Sequence, residues 1–321
     1  MKRITLACLS VIPTGLLVVM MLANSAHRVG AVNLATPTDL PRMSTCEPDT
    51  SIESAALSPD GKYLLAGWNV DTARLWNTLT GAIQYTFTGY SKDATYKNIW
   101  SVAFSPDGKY ALLGNGSGEA TVWDIMKQSK ILTLSHSMDV KDPAVDQYLV
   151  LSSTFSPDGQ YIATAEHYAV YIWDAHTGRL LHTLPGVRDY GFGVHFSLDG
   201  KTLIAEGEQV TLWDVQTGEL KHTFENAVSA QMSVDGGIIV TEGVTGPLVA
   251  WDAKNYSQLR ILSNASDTNY SDLHLSPDGR YVQTSTSQGG VEIILLDTQT
   301  GAILHTFSYG YVLDLIGNKR G

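Results

Sequence analysis

The sequence predicts an all-β protein made of six similar four-stranded antiparallel sheets, and two markers repeated in phase predict it. The first marker is the turn sequence Ser-Pro-Asp-Gly with two degenerate copies, and the second is a tryptophan followed by an acid or amide. The turn aspartates have a mean spacing of about 44 residues and are Asp60, Asp107, Asp158, Asp199, Asp235 and Asp278. The tryptophans follow 14 to 16 residues later at Trp76, Trp123, Trp173, Trp213 and Trp251. Two markers that keep one phase indicate a true internal repeat.

The amino-terminal segment predicts where the chain resides. Lys2 and Arg3 precede an apolar run over residues 4–23, and small residues follow it. A basic start, an apolar core and a small-residue exit are typical of a secretory signal, here residues 1–26. Because the run is 20 residues long, a retained membrane anchor formed by residues 4–23 stays open as the alternative. Both interpretations predict an extracytoplasmic protein, secreted or periplasmic, whose residues 27–51 form a Pro-containing linker.

Each unit then divides into four short strands. In the second unit, strands are predicted at 99–105, 109–114, 120–124 and 130–134. The first pair is joined by Pro-Asp-Gly, which supplies a preset φ and then a residue that tolerates positive φ. Thr-Gly pairs join the third and fourth strands in four of the units. A single sheet of this kind leaves two apolar faces uncovered, so radial packing of sheet against sheet is expected.

The first strand of each unit is predicted to be the innermost one. The residue before the turn serine is large and apolar in every unit, whereas three residues earlier a small or short residue occurs. This second set is Ser54, Ser101, Ser152, Gly193, Ser229 and Asp272. Side chains alternate between the two faces of a strand, and small ones fit where neighbouring sheets converge.

On these residues the chain resembles the WD-repeat β-propeller family over residues 52–307. Family members often carry a Gly-His pair and a turn aspartate that join tryptophan and Ser/Thr in a buried hydrogen-bond network. Here Tyr90 follows Gly89, Val187 follows Gly186, and Asp71 alone suits the turn position. The sequence therefore does not predict that complete network, and the chain resembles the more divergent bacterial-type repeats.

The number of blades is predicted to be six, with a seven-position ring that holds an incomplete blade as the alternative. Residues 308–321 form a carboxy-terminal tail that contains the apolar stretch 312–316. That stretch resembles the opening strand of a further unit and is a candidate closing strand.

Composition and motifs exclude several functional classes. The formal net charge of −11 argues against nucleic-acid binding, which needs clustered positive charge. With Cys8 and Cys46 as its two cysteines, the chain has neither a disulfide framework nor a paired-cysteine zinc site. The carboxylates mostly fall in turns, so we expect no enzyme activity and no cofactor. The alternative is an enzyme or a metal or small-molecule binder that uses the central channel, with His195, His274 and Asp272 as the converging residues.

The expected function is protein or peptide binding by a non-catalytic scaffold, because the resemblance implies assembly platforms. The connections that enter each first strand are long and rich in aromatic residues, and rigid scaffolds usually carry binding residues on such loops. The predicted partner-binding face comprises Tyr90, Tyr96, Trp100, Tyr148, His167, Asp189, Tyr190, Glu208, Asp267 and Tyr270.

Overall fold

A computed structural model describes most of the repeat region. The described residues are 52–68, 72–88, 98–135, 149–166, 169–185, 193–243, 247–263, 270–286 and 292–308. The predicted signal or anchor, the linker and the candidate closing strand lie outside these residues. Nowhere in the described ranges is there a helix with the length and apolar character needed to cross a membrane.

The described residues form twenty-four strands arranged as six four-stranded sheets. The first two sheets are β1 (Ile52–Leu57), β2 (Tyr63–Trp68), β3 (Ala73–Asn77), β4 (Ile83–Phe87) and β5 (Ile99–Phe104), β6 (Tyr110–Asn115), β7 (Glu119–Asp124), β8 (Ser129–Ser135). The next two are β9 (Ser152–Phe155), β10 (Tyr161–Ala165), β11 (Ala169–Asp174), β12 (Leu180–Pro185) and β13 (Gly193–Phe196), β14 (Thr202–Glu206), β15 (Val210–Asp214), β16 (Leu220–Phe224). The last two are β17 (Ser229–Met232), β18 (Ile238–Glu242), β19 (Leu248–Asp252), β20 (Gln258–Ser263) and β21 (Tyr270–Leu275), β22 (Tyr281–Thr286), β23 (Glu292–Asp297), β24 (Ile303–Ser308).

Each sheet takes its strands from one continuous stretch of chain and pairs them in chain order. This confirms the predicted fold class, all-β with six four-stranded antiparallel blades. The second sheet also confirms the strand positions predicted for it to within one residue.

The turn between the third and fourth strands requires a left-handed residue in every sheet. Glycine supplies it where Thr-Gly was recognised, as at Gly81 with φ of 68°. In the second and fifth sheets Gln128 and Tyr256 take this conformation instead, with φ of 54° and 59°. These turns keep the backbone of the repeat without its glycine.

The chain divides into two compact units, residues 1–207 with 212–221, and residues 208–211 with 222–321. In the first unit, neighbouring sheets pack face to face, and the repeated tryptophans of the second, third and fourth sheets lie in the core shared with the preceding sheet. Trp123 packs on Leu65 and Phe87 of the first sheet, and its ring meets Phe87 edge-on at 5.4 Å between centroids. Trp173 packs in the same way on the second sheet and Trp213 on the third.

The second unit uses the same packing. Its fifth and sixth sheets share a core that includes Val240, Leu262 and Val282. Trp251 lies 5.0 Å from Phe224, measured between ring centroids. The repeated tryptophans therefore cover the apolar faces of the sheets rather than facing water.

One position of the outer strand differs in the last sheet. Phe307 of β24 is 55% exposed. The equivalent side chains of the other five outer strands are at most 5% exposed and are Phe87, Leu134, Leu184, Phe224 and Leu262. The described residues thus leave this face of the sixth sheet open, and the alternative of a seven-position ring depends on residues outside them.

Candidate functional site

Each sheet has two edges at which its strands are connected. One edge carries the connections from the first strand to the second and from the third strand to the fourth, such as residues 105–109 and 125–128 of the second sheet. We call it the turn edge. The opposite one, the loop edge, carries the second-to-third connection and the connection that enters the first strand. The predicted partner-binding face belongs to the loop edge.

At the turn edge, the repeated serine and aspartate hold the backbone of the turn. Ser58 Oγ donates to Asp60 Oδ1 at 2.8 Å, and the backbone N–H of Lys62 donates to the same oxygen at 3.1 Å. The serine hydroxyl in turn accepts the N–H of Tyr63 at 2.9 Å. The same serine-to-aspartate bond occurs in all six sheets, at 2.6–2.8 Å. The Oδ1 atom of each of these carboxylates is therefore committed to turn structure.

The hydrogen bonds also lower the pKa of several of these aspartates, among them Asp60, Asp107 and Asp199. Desolvation raises the pKa of Asp60, but bonds from Lys62 and Ser58 and the Lys62 charge outweigh it and lower the pKa from 3.8 to about 2. Burial opposes the same kind of bonds at Asp107 and Asp199, and the pKa of each is again lowered. A carboxylate held ionised in this way suits a structural acceptor better than a general acid.

The tryptophans are tied by a bond that sequence reasoning did not predict. Trp173 Nε1 donates to Thr164 Oγ1 at 2.9 Å, and Trp251 Nε1 donates to Thr241 Oγ1 at 2.8 Å. In the second sheet, Trp123 Nε1 donates at 3.0 Å to a threonine two residues earlier. In these three sheets the indole therefore has a threonine hydroxyl as its acceptor. In the third and fifth sheets, the sequence feature that could have predicted this bond is a threonine on the strand adjacent to the tryptophan.

Neighbouring sheets of the first unit are joined by a serine on each innermost strand. Ser54 Oγ accepts the N–H of Val102 at 3.1 Å, which links the first sheet to the second. Ser101 Oγ accepts the N–H of Ser153 at 2.8 Å. Ser152 Oγ accepts the N–H of a residue in β13 at 3.2 Å. We call these bonds the serine latches. The small residues predicted at the convergence of the sheets therefore also supply hydrogen bonds.

The structure describes part of the predicted partner-binding face. Trp100 lies in β5 at a register shift, and Glu208 is exposed between β14 and β15. Tyr270 begins β21. The remaining predicted residues lie outside the described ranges: Tyr90, Tyr96, Tyr148, His167, Asp189, Tyr190 and Asp267. This face therefore stays a prediction.

Buried polar atoms collect at the loop edge of the first two sheets. Thr72 Oγ1, Trp100 Nε1 and Asn115 Nδ2 are buried and have no hydrogen-bond partner among the described residues. Asn115 is 2% exposed, and its Oδ1 accepts the N–H groups of Ser117 at 2.9 Å and Glu119 at 3.0 Å. Asn115 thus shapes the loop between β6 and β7.

The structure describes part of the alternative metal site predicted from the sequence. His195 Nε2 is buried and has no partner among the described residues, whereas the side chain of Asp272 lies outside them. In the part of the chain that the structure describes, no three His, Cys, Asp or Glu side chains group closely enough to hold a metal ion.

The comparison with known families matches the repeat. The model described as WD domain, G-beta repeat matches residues 81–124 and 133–174. Each match runs from an outer strand, or its end, through three strands of the next sheet. It ends at the residue that follows a repeated tryptophan. No curated protein matches the chain.

Proposed function

Because this chain carries repeats of the WD-repeat family, we propose that it is a non-catalytic scaffold that binds a protein or peptide at the loop edge. WD repeats generally serve protein interaction, which supports the class of function. The proposal adds the absence of catalysis, the binding face and the location.

One observation carries the proposal: the repeated polar side chains are occupied in holding the sheets. The turn serines and aspartates bond each other, and the latch serines bond the neighbouring sheet. A rigid framework with its polar repeat residues committed leaves variation to the loops, where binding residues usually lie.

The location belongs to the same proposal. The basic start and the apolar run over residues 4–23 favour export or membrane attachment of the amino terminus. The scaffold is then secreted or periplasmic, and its partner is a protein of that compartment.

Affinity capture tests the proposal. The full chain, tagged at its carboxy terminus, is expressed in its native host and recovered from the envelope and the medium. Glu208→Lys changes an exposed charge at the loop edge, and Glu219→Lys makes the same change at the turn edge of the same sheet. We expect one specific partner to be lost with Glu208→Lys and kept with Glu219→Lys.

Two results would contradict the proposal. Loss of the partner with Glu219→Lys alone would remove the loop edge as the binding face. Recovery of the chain in the cytoplasm would refute the location.

The Nε2 of His195, which is buried and has no partner within the described part of the chain, favours one second candidate, a metal-dependent or ligand-binding channel. Elemental analysis of the purified full chain tests it. Stoichiometric metal that disappears with His195→Ala, together with substrate turnover, would replace the scaffold by this second function.

A further inference from the structure

A crevice opens at the turn edge between the second and third sheets, away from the predicted partner-binding face. Its volume is about 260 Å³. Pro106, Ile131 and Phe155 supply apolar walls, and Asp158 and His176 lie among its polar lining residues. Ile131 is 44% exposed, so this wall is open to an incoming side chain.

Asp107 and Asp158 both line this crevice, and Asp158 differs from Asp107 and from Asp60 of the first sheet. Asp60 pairs with Lys62 and Asp107 pairs with Lys109, in both cases with 2.9 Å between the amine and Oδ2. The third sheet has Gln160 in place of that lysine. The aspartate of its turn therefore lacks the lysine partner that the first two sheets have.

The remaining bonds of Asp158 leave one carboxylate oxygen available. Its Oδ1 accepts the Ser156 hydroxyl at 2.6 Å and the Gln160 N–H at 3.0 Å. Within the described ranges, no Lys or Arg side chain pairs with Oδ2 of this exposed carboxylate. A carboxyl group beside an apolar wall has the chemistry to receive a long basic side chain.

We infer that the crevice binds an arginine or lysine side chain that a partner protein presents next to an apolar residue. The inference rests on the proposed scaffold function and adds to it a second contact surface and the chemistry of its ligand. The aliphatic stem lies along Pro106 and Ile131, and the cationic group pairs with Asp158 Oδ2. The chain's net charge of −11 attracts a basic segment and repels an acidic one.

A peptide titration of the full-length protein tests the inference. The probe is acetyl-Leu-Arg-Leu-amide, with norleucine in place of arginine as the uncharged control, and the signal is the δ1-methyl resonance of Ile131. We expect a saturable shift with a Kd on the order of 1 mM for the arginine peptide. The norleucine peptide should bind about fivefold more weakly, which is the upper range for one exposed ion pair.

The repeat provides matched variants. Gln160→Lys installs the pair seen in the first two sheets, so it should weaken arginine-peptide binding about fivefold without loss of thermal stability. Asp158→Asn should weaken it similarly. Asp235→Asn is the control, because this turn aspartate is followed by Gly237 instead of a lysine and does not line the crevice.

Every outcome of the titration bears on the inference. It is wrong if the arginine peptide gives no saturable shift, if both peptides bind equally, or if Gln160→Lys binds as wild type. It is also wrong if Gln160→Lys instead changes the sedimentation of the protein alone, since the crevice would then be a contact between copies. A captured partner that binds Gln160→Lys unchanged would refute the crevice as a contact surface and leave the scaffold function intact. Failure to capture any partner, with peptide binding intact, would refute the scaffold function and leave the crevice as a binding site.

Discussion

Truncation of Ser101 to alanine removes the serine latch between the second and third sheets. The hydroxyl accepts the N–H of Ser153 at 2.8 Å and lies 2.9 Å from the Ser153 hydroxyl, and Ser101 is 6% exposed. After the substitution the Ser153 N–H stays buried and loses its acceptor, which costs about 1–3 kcal/mol. We therefore expect the free energy of unfolding to fall by about 2 kcal/mol.

Urea denaturation followed by tryptophan fluorescence measures this loss, and amide exchange at Ser153 localises it. Ser54→Ala is the matched control, since its bond to Val102 is longer at 3.1 Å and Ser54 is less buried. It should cost less, below about 1 kcal/mol. Equal losses for the two variants, or a loss under about 0.5 kcal/mol for Ser101→Ala, would refute the reasoning that burial makes this latch strong.

Three further predictions follow from the same geometry. Gly114→Ala places a Cβ 2.7 Å from Val150 Cγ1, so the free energy of unfolding should drop by about 1–3 kcal/mol in urea titration. The double variant with Val150→Ala should recover part of this loss. An unchanged urea midpoint for Gly114→Ala would show that the sheets separate freely. Thr164→Val removes the acceptor of the Trp173 indole and should cost about 1–3 kcal/mol by the same assay, unless the indole finds another partner. The pKa of Asp60 is lowered from 3.8 to about 2 in the folded state, so the contribution of its carboxylate to stability is complete above about pH 4 and is lost as pH falls towards 2. Between these pH values the wild type should therefore lose more unfolding free energy than Asp60→Asn. Parallel curves of unfolding free energy against pH for the two proteins would contradict this.

The fold was predictable because its markers include residues that the turns themselves require. Asp107 and its equivalents recur because the tight turn needs both an acceptor near the backbone and a following residue that tolerates positive φ. From the second sheet to the fifth, the tryptophan recurs because it packs against the preceding sheet, as Trp123 packs on Phe87. The period and phase of the two markers therefore predicted the sheets, their order along the chain and their face-to-face packing.

The details that escaped prediction depend on neighbours distant in sequence. Trp173 takes Thr164 as acceptor through strand pairing, so the absent Gly-His pair did not abolish the indole bond. Tyr256 replaces the turn glycine and stacks on His222 at 4.3 Å, and burial lowers the pKa of that histidine. The loop edge was predicted from composition alone, and composition does not fix which side chains converge.

The pairing of strands in chain order has a consequence for how the molecule acquires its fold. Every sheet closes loops of a few residues, so the entropy lost in forming it is small and its nucleation is local. During synthesis a complete sheet can form once its own stretch of about 45 residues has left the ribosome, and the next sheet docks onto a finished surface. Assembly is thereby vectorial, and a whole repeat can be gained or lost by duplication or deletion without re-pairing the strands that remain.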